Sequence, residues 1–183
     1  MESAESLKGQ LLIAGAGLFD PNFRRTVVLV GAHNREGALG VVLNRPAPVR
    51  VEEAAPPLAS IVGPEDPVFL GGPVQPQSAV VLEEFEHPEM ADVPVLGSVG
   101  FVAGELRPEA VEAIRRARVF AGYAGWGAGQ LERELEMGSW IVEPARLEDI
   151  FTPEPERLWT AVLRRKGGRF ALLSTMPVDP SLN

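Results

Sequence analysis

Short apolar runs rich in β-branched residues, each closed by a Gly, Pro, Asn or Asp turn signal, restrict the folds open to this chain more than any other feature. Gln10–Ala14 and Thr26–Val30 are two such runs, and both read as strands. The second leads through His33-Asn34-Arg35-Glu36-Gly37 into Ala38–Leu43, which predicts a hairpin. Thr26–Val30 is apolar almost throughout, so this strand should be covered on both faces. Ahead of it, Asp20-Pro21-Asn22 is a turn, because Asp and Asn hydrogen-bond nearby backbone and Pro fixes φ. Arg24 and Arg25, read as part of an extended segment, should point to opposite faces.

The texture changes between Pro46 and Pro67, where prolines crowd and only a short helix around Val51–Ala55 is expected. Strand signals resume at Val68–Leu70, turn at Gly71-Gly72-Pro73 and return at Ala79–Leu82. Glu83 to Val93 reads as an acidic loop and Val99–Ala103 as another strand. Pro108 suits a first helical position, with Ala110, Val111, Ile114 and Ala117 on one face of a helix over 108–118. Val119–Tyr123 and Trp140–Val142 read as strands. Gly127–Met137 reads as a helix closed by Gly138. Thr152 with Pro153 opens a last helix, striped by Leu158, Trp159, Val162 and Leu163 and stopped at Gly167-Gly168. Phe170–Leu173 is expected as a final strand. The first half is mostly strand-turn-strand, which favours an α+β fold on a mostly antiparallel, hairpin-rich sheet over a doubly wound parallel one.

At 183 residues, with 45% apolar and 23% charged side chains, one hydrophobic core can serve the whole chain. We expect a single domain over 1–183, with residues 1–8 and 176–183 as tails. The formal net charge of −8 repels phosphate backbones at long range, so direct nucleic-acid binding is not expected. The basic run Arg164, Arg165, Lys166 and Arg169 reads as a solvated helix end. There is no cysteine, which removes disulfides, thiolate metal sites and cysteine nucleophiles together. No apolar run approaches a membrane span and the start carries acids, so a cytoplasmic protein is expected.

Four strings stand out: LFDPNFRRTVVL at Leu18–Leu29, GALGVVLNRP at Gly37–Pro46, FLGGPV at Phe69–Val74 and GYAGWGAGQLE at Gly122–Glu132. In this order and spacing the chain resembles the YqgE/AlgH family of bacterial proteins from about Gly9 onward, although Ala128 stands where the family commonly has Pro. The resemblance implies an α+β fold around a coiled, bifurcated β-sheet, and the helical segments read above add three or four packed helices to it. One branch of that family carries the label of a transcriptional regulator, but the family offers no catalytic residues to carry over.

Two places invite a site. Glycines 122, 125, 127 and 129 precede a helix N-terminus, where free N–H groups favour an anion. The string is no nucleotide-binding fingerprint, however, and Glu132, Glu134 and Glu136 follow on the same helix. Arg24, Arg25 and Arg45 form the other candidate, with pairing to a loop carboxylate such as Asp20 as the structural alternative. Enzyme readings are weaker. His33 lies in a turn and His87 in an acidic loop, and LGSVG at Leu96–Gly100 lacks the first glycine of a nucleophile elbow. Zinc does not suit two separated histidines, and magnesium on Glu83, Glu84 and Glu86 has only an acidic loop to recommend it. No cofactor is expected.

The expectation is therefore a non-enzymatic binding or regulatory module. It would act through a protein partner or a small ligand held near Arg25, Asn44, Arg45, Gly71, Gly72, Tyr123, Trp126 and Gln130. A transcriptional regulator, and a hydrolase or nucleotide-handling enzyme using the junction at 122–131, are the alternatives. Self-association through a strand edge is a further expectation.

Overall fold

A computed structural model describes residues 5–102 and 108–177. The expected termini at 1–4 and 178–183, and the last residue of the strand read at Val99–Ala103, lie outside the described residues.

Ten strands form the framework. They are β1 (Gln10–Ala14), β2 (Val27–Asn34), β3 (Gly37–Val42), β4 (Pro46–Arg50), β5 (Pro67–Leu70), β6 (Val74–Phe85), β7 (Val93–Leu96), β8 (Val99–Val102), β9 (Ile114–Gly127) and β10 (Trp140–Pro144). Among the described residues the helices are short: α1 (Val51–Ala54), α2 (Pro108–Glu112), α3 (Gln130–Glu136), α4 (Leu147–Ile150), α5 (Leu158–Lys166) and α6 (Arg169–Leu173). The main path runs β10-β1-β2-β3-β9-β6-β8-β7, every neighbour antiparallel.

The long strand β9 is where the sheet forks. Along one edge it pairs with β6 from Ile114 to Tyr123. Its other edge is shared, with β3 taking Ala124–Gly127 and β5 running parallel at Phe120 and Ala121. β4 pairs in turn with β5. The far end of the path curls round, so that β7 packs back against β2. The α+β, mostly antiparallel architecture expected from the hairpin pattern is the one observed.

Burial follows from this curl. Val27 to Val30 are all fully buried, as a two-sided strand requires. Leu29, Val41, Leu82, Val99 and Phe120 fill the inside of the curl, and Ile150, Leu158, Trp159, Val162 and Leu163 close one end of it. The opposite face of β1–β3 and β10 packs Val28, Val42, Trp126, Leu131 and Trp140, with Phe23 against them. Val51, Ile61, Val68, Val81 and Val119 form a third cluster outside the fork.

The edge strand β10 is shielded by cations. Lys166 Nζ donates to Val142 O at 2.9 Å and Arg165 Nη2 to Pro144 O at 3.4 Å. Outward carbonyls capped in this way do not invite another strand. The basic run at the end of α5 thus covers an edge, and Arg165 also grips the buried Asp149 at 2.8 Å through both terminal nitrogens.

Several sequence expectations are corrected. The helix read over 108–118 stops at Glu112, and Ile114–Arg118 belong to β9 because β6 supplies a partner residue by residue. The side chain of Ala110 lies outside the described residues. Glu83 and Glu84 are not in a loop: they end β6 and are buried. Phe170–Leu173 lies within α6, not in a strand; the run is four residues long and periodicity cannot tell the two apart. Arg24 and Arg25 lie in a turn, and Arg25 has a left-handed φ of 54°. The strand continues through Gly127, so α3 begins at Gln130.

Candidate functional site

The curl leaves one end open. There a cavity of about 240 Å³ is lined by Gly31 and Ala32 of β2, Leu39, Gly40 and Val41 of β3, Val80 of β6, Val93 of β7, Phe101 of β8 and Tyr123 of β9. Each strand of the curl contributes. The lining is apolar, and Leu39 stands half-exposed at its rim. Mouths of barrel-like sheets are a common place for ligands.

Two backbone details build this mouth. Gly122 interrupts β9 with φ +73°, beside a shift in register against β6 between Val74 and Ala79. Four residues of β6 stand there against Gly122 alone, and such an irregularity changes which side chain of the strand faces inward. Arg116, Arg118 and Phe120 therefore share a face below the irregularity, and above it Tyr123 takes over and enters the mouth. Gly31 supplies the second detail: the Phe101 ring lies over it where a side chain would stand.

Of the residues singled out from sequence, Tyr123 alone lines this cavity. Gly71 and Gly72 press on the backbone of Gly122 and Tyr123, leaving no room for a Cβ. Asn44 accepts from Val27 N at 3.0 Å and donates to Arg25 O at 2.9 Å, tying the turn to the end of β3. Arg45 grips the same turn through Asn22 O at 2.7 Å and Arg24 O at 3.0 Å. It thus binds carbonyls of the loop and makes no hydrogen bond to the Asp20 carboxylate; burial presses its pKa down while the charge of Asp20 opposes. Arg25 stacks 4.5 Å over Trp159 and donates to Met176 O, and burial also lowers its pKa.

The glycine-rich junction is similarly braced. Trp126 is buried, 6.2 Å from Phe23 and 6.0 Å from Trp140 between ring centres, and its Nε1 donates to Glu134 at 2.5 Å. Gln130 Oε1 accepts from Gly127 N at 3.0 Å, closing the turn into α3. Glu132 occupies the first turn of that helix, next to His33 at 2.7 Å, and this hydrogen bond lowers the carboxylate's pKa.

His33 accepts the Leu7 N–H on Nδ1 at 3.0 Å, so Nε2 carries the proton offered to Glu132. His87 is exposed in its loop. Among the described residues no serine side chain hydrogen-bonds to either imidazole, and no three His, Asp or Glu side chains converge as metal ligands. Glu83 and Glu84 are separated from the exposed Glu86 by burial, so the acidic trio is not one surface cluster. Among the described residues no helix is long and apolar enough to cross a membrane.

Sequence reasoning missed the cavity because its wall takes isolated residues from strands far apart in the chain. The available signal was weak: small Gly31, Ala32 and Gly40 line the mouth together with larger Leu39, Phe101 and Tyr123.

The sequence profile described as AlgH-like matches residues 11–171. The chain belongs to the AlgH-like family. A UPF0301 protein of Streptomyces coelicolor is 47% identical over 190 residues, covering 100% of this chain and 98% of its own length. A UPF0301 protein of Chlorobaculum tepidum is 40% identical, with 96% and 95% covered. The solution structure of the AlgH protein from Pseudomonas aeruginosa superposes with a TM-score of 0.70 at 32% identity, over 97% of this chain and 98% of that one. A crystal structure of protein DIP2367 from Corynebacterium diphtheriae gives 0.85 at 29% identity, over 96% and 95%. The AlgH-like fold is thus shared along essentially the whole chain, and none of these names states a reaction or a ligand.

Proposed function

We propose that this protein is a non-catalytic binding module whose ligand is an apolar group, seated in the open mouth of the curled sheet. The observation that carries the reading is the convergence of side chains from β2, β3, β6, β7, β8 and β9 on one cavity of about 240 Å³. That volume is somewhat below the ~300 Å³ at which small-molecule pockets commonly begin. It suits a compact ring or short aliphatic group, whether of a free metabolite or of a partner's side chain. Burying such a group contributes roughly 2 kcal/mol. The cavity wall holds no carboxylate, imidazole or serine, and this favours binding over chemistry.

The residues first singled out from sequence support the reading as a brace. Gly71 and Gly72 fix Tyr123 from behind, and Asn44 and Arg45 anchor the neighbouring turn. The test is a titration of the full chain with indole, followed by amide chemical shifts. Saturable shifts confined to Leu39, Val80, Phe101 and Tyr123 are expected. Leu39→Glu, a change at a half-exposed rim position, should weaken that binding at least about tenfold by setting a charge against an apolar ligand. Shifts that never saturate, or that survive Leu39→Glu unchanged, would remove the groove from consideration.

A further inference from the structure

β9 carries Arg115, Arg116 and Arg118 where β6 pairs with one of its edges and, among the described residues, no strand pairs with the other. That open edge faces a cleft of about 380 Å³, walled opposite by Ser60, Gly63 and Asp66 and lined also by the three arginines. This cleft is distinct from the apolar mouth: it shares no lining residue with it.

The arginines are not equivalent. Arg116 has a counter-charge, since its Nε lies 2.7 Å from Glu84 Oε2 while its guanidinium stacks 4.5 Å over Phe151. Arg118 stacks 4.6 Å over Phe69 and donates from Nη2 to Thr152 O at 2.6 Å. Its Nη1 is buried without an acceptor, and none of the ion pairs among the described residues includes it. Burial disfavours its cationic form, the charge of Asp66 opposes that, and the neighbouring charge of Arg116 adds a smaller push in the direction of burial. A smaller cavity of about 30 Å³ continues past it, bounded by Val62, Asp66, Ala117 and Arg118.

A part-buried guanidinium with one nitrogen buried and idle is costly unless something accepts from it. Asp66 accepts from Gly63 N at 2.7 Å through one oxygen and acts on Arg118 through its charge, without a hydrogen bond to Nη1. Counting the cleft wall with Glu84, the arginines outnumber the carboxylates, in a chain whose net charge is −8. We propose that this cleft binds a small oxyanion, a carboxylate or a phosphate, that is drawn in by Arg115 at the rim and toward which Arg118, part-buried in the wall, turns its unpartnered Nη1. Guanidinium groups suit such ligands because their planar donors match paired oxygens.

The experiment is a titration of the full chain with inorganic phosphate in one arm and acetate in the other, at constant ionic strength held with chloride. Amide shifts are followed up to about 50 mM, a range that captures millimolar affinity. Saturable shifts at Gly63 and Ala117, with Leu39 and Tyr123 still, are expected in at least one arm, and the saturating arm identifies the oxyanion. Arg118→Met, which keeps an apolar stem but gives up the guanidinium stacked on Phe69, should weaken binding about tenfold. Arg115→Gln alters only an exposed side chain and should weaken it about threefold; it serves if Arg118→Met does not fold. Linear shifts in both arms, or saturation that neither variant disturbs, would overturn the proposal.

Discussion

The Cβ that Gly31 lacks would lie 2.4 Å from Cε2 of Phe101, so the phenyl ring occupies the space of a side chain at position 31. This contact joins β2 to β8 across the mouth of the curl, between strands that share no ladder.

Gly31→Ala should therefore act through Phe101. The ring is partly exposed and can swing aside, so the cost belongs at the low end of overpacking, about 1 kcal/mol. Phe101→Leu in the same chain should recover part of it, because the shorter side chain vacates the space. Urea unfolding of the two single variants and the double variant checks this; strictly additive losses would mean the two residues do not touch in solution.

Glu134 gathers two indoles. Its Oε2 accepts from Trp126 Nε1 at 2.5 Å and from Trp140 Nε1 at 3.3 Å, and the two rings meet edge to face. Glu134→Ala leaves both N–H groups without that acceptor and should cost about 2 kcal/mol. Glu134→Gln keeps an oxygen and should lose less than half as much. The checks are denaturation midpoints and tryptophan emission, which should shift in the alanine variant more than in the glutamine one.

Glu83 gives the fold a pH dependence with a definite sign. Its side chain is fully buried, neither carboxyl oxygen has a partner, and burial, aided by the charge of Asp92, pushes its pKa from an ordinary 4.5 up to about 7. Between those values the folded chain keeps a proton that the unfolded chain has released. Stability then falls as pH rises through that window, by roughly 3 kcal/mol in all, and is level above it. Glu83→Gln should match the wild type near pH 4.5 and exceed it increasingly up to about pH 7. Parallel stability–pH curves for the two proteins would contradict this.

That same residue shows where sequence reading stops. Strands that bury one or both faces are legible in hydrophobic pattern, and Val27–Val30 and the hairpin from β2 to β3 were read this way. Glu83 and Glu84 looked like solvent-facing loop because charge is usually exposed; only β9, paired along β6, makes that stretch a strand. Arg115 to Arg118 looked helical because the spacing of Ala110, Val111, Ile114 and Ala117 fits a helix until a partner strand overrides it. The four motif strings led to the family and to the brace behind Tyr123. They could not reveal the mouth itself, because Val80, Val93 and Phe101 are ordinary strand residues until the curl brings them together.

The placement of Tyr123 rests on its predecessor, and two glycines separate backbone shape from crowding. Gly122 and Gly138 have nearly the same left-handed φ, +73° and +76°. A Cβ at Gly138 would meet nothing within 4 Å, whereas at Gly122 it would lie 2.6 Å from Gly72 O and 2.8 Å from Val74 O. Gly138→Ala should thus lose only the conformational term, about 1 kcal/mol. Gly122→Ala adds a clash with two backbone carbonyls that no rotamer relieves, and should cost at least about 3 kcal/mol. Thermal unfolding of the pair checks the difference. Where Gly122→Ala still folds, the Tyr123 ring resonances should shift and indole binding should fall with it, because the altered backbone no longer aims that ring into the mouth. Equal losses in the two variants would mean that crowding does not hold the bend in β9, and the account of how Tyr123 reaches the cavity would have to be abandoned.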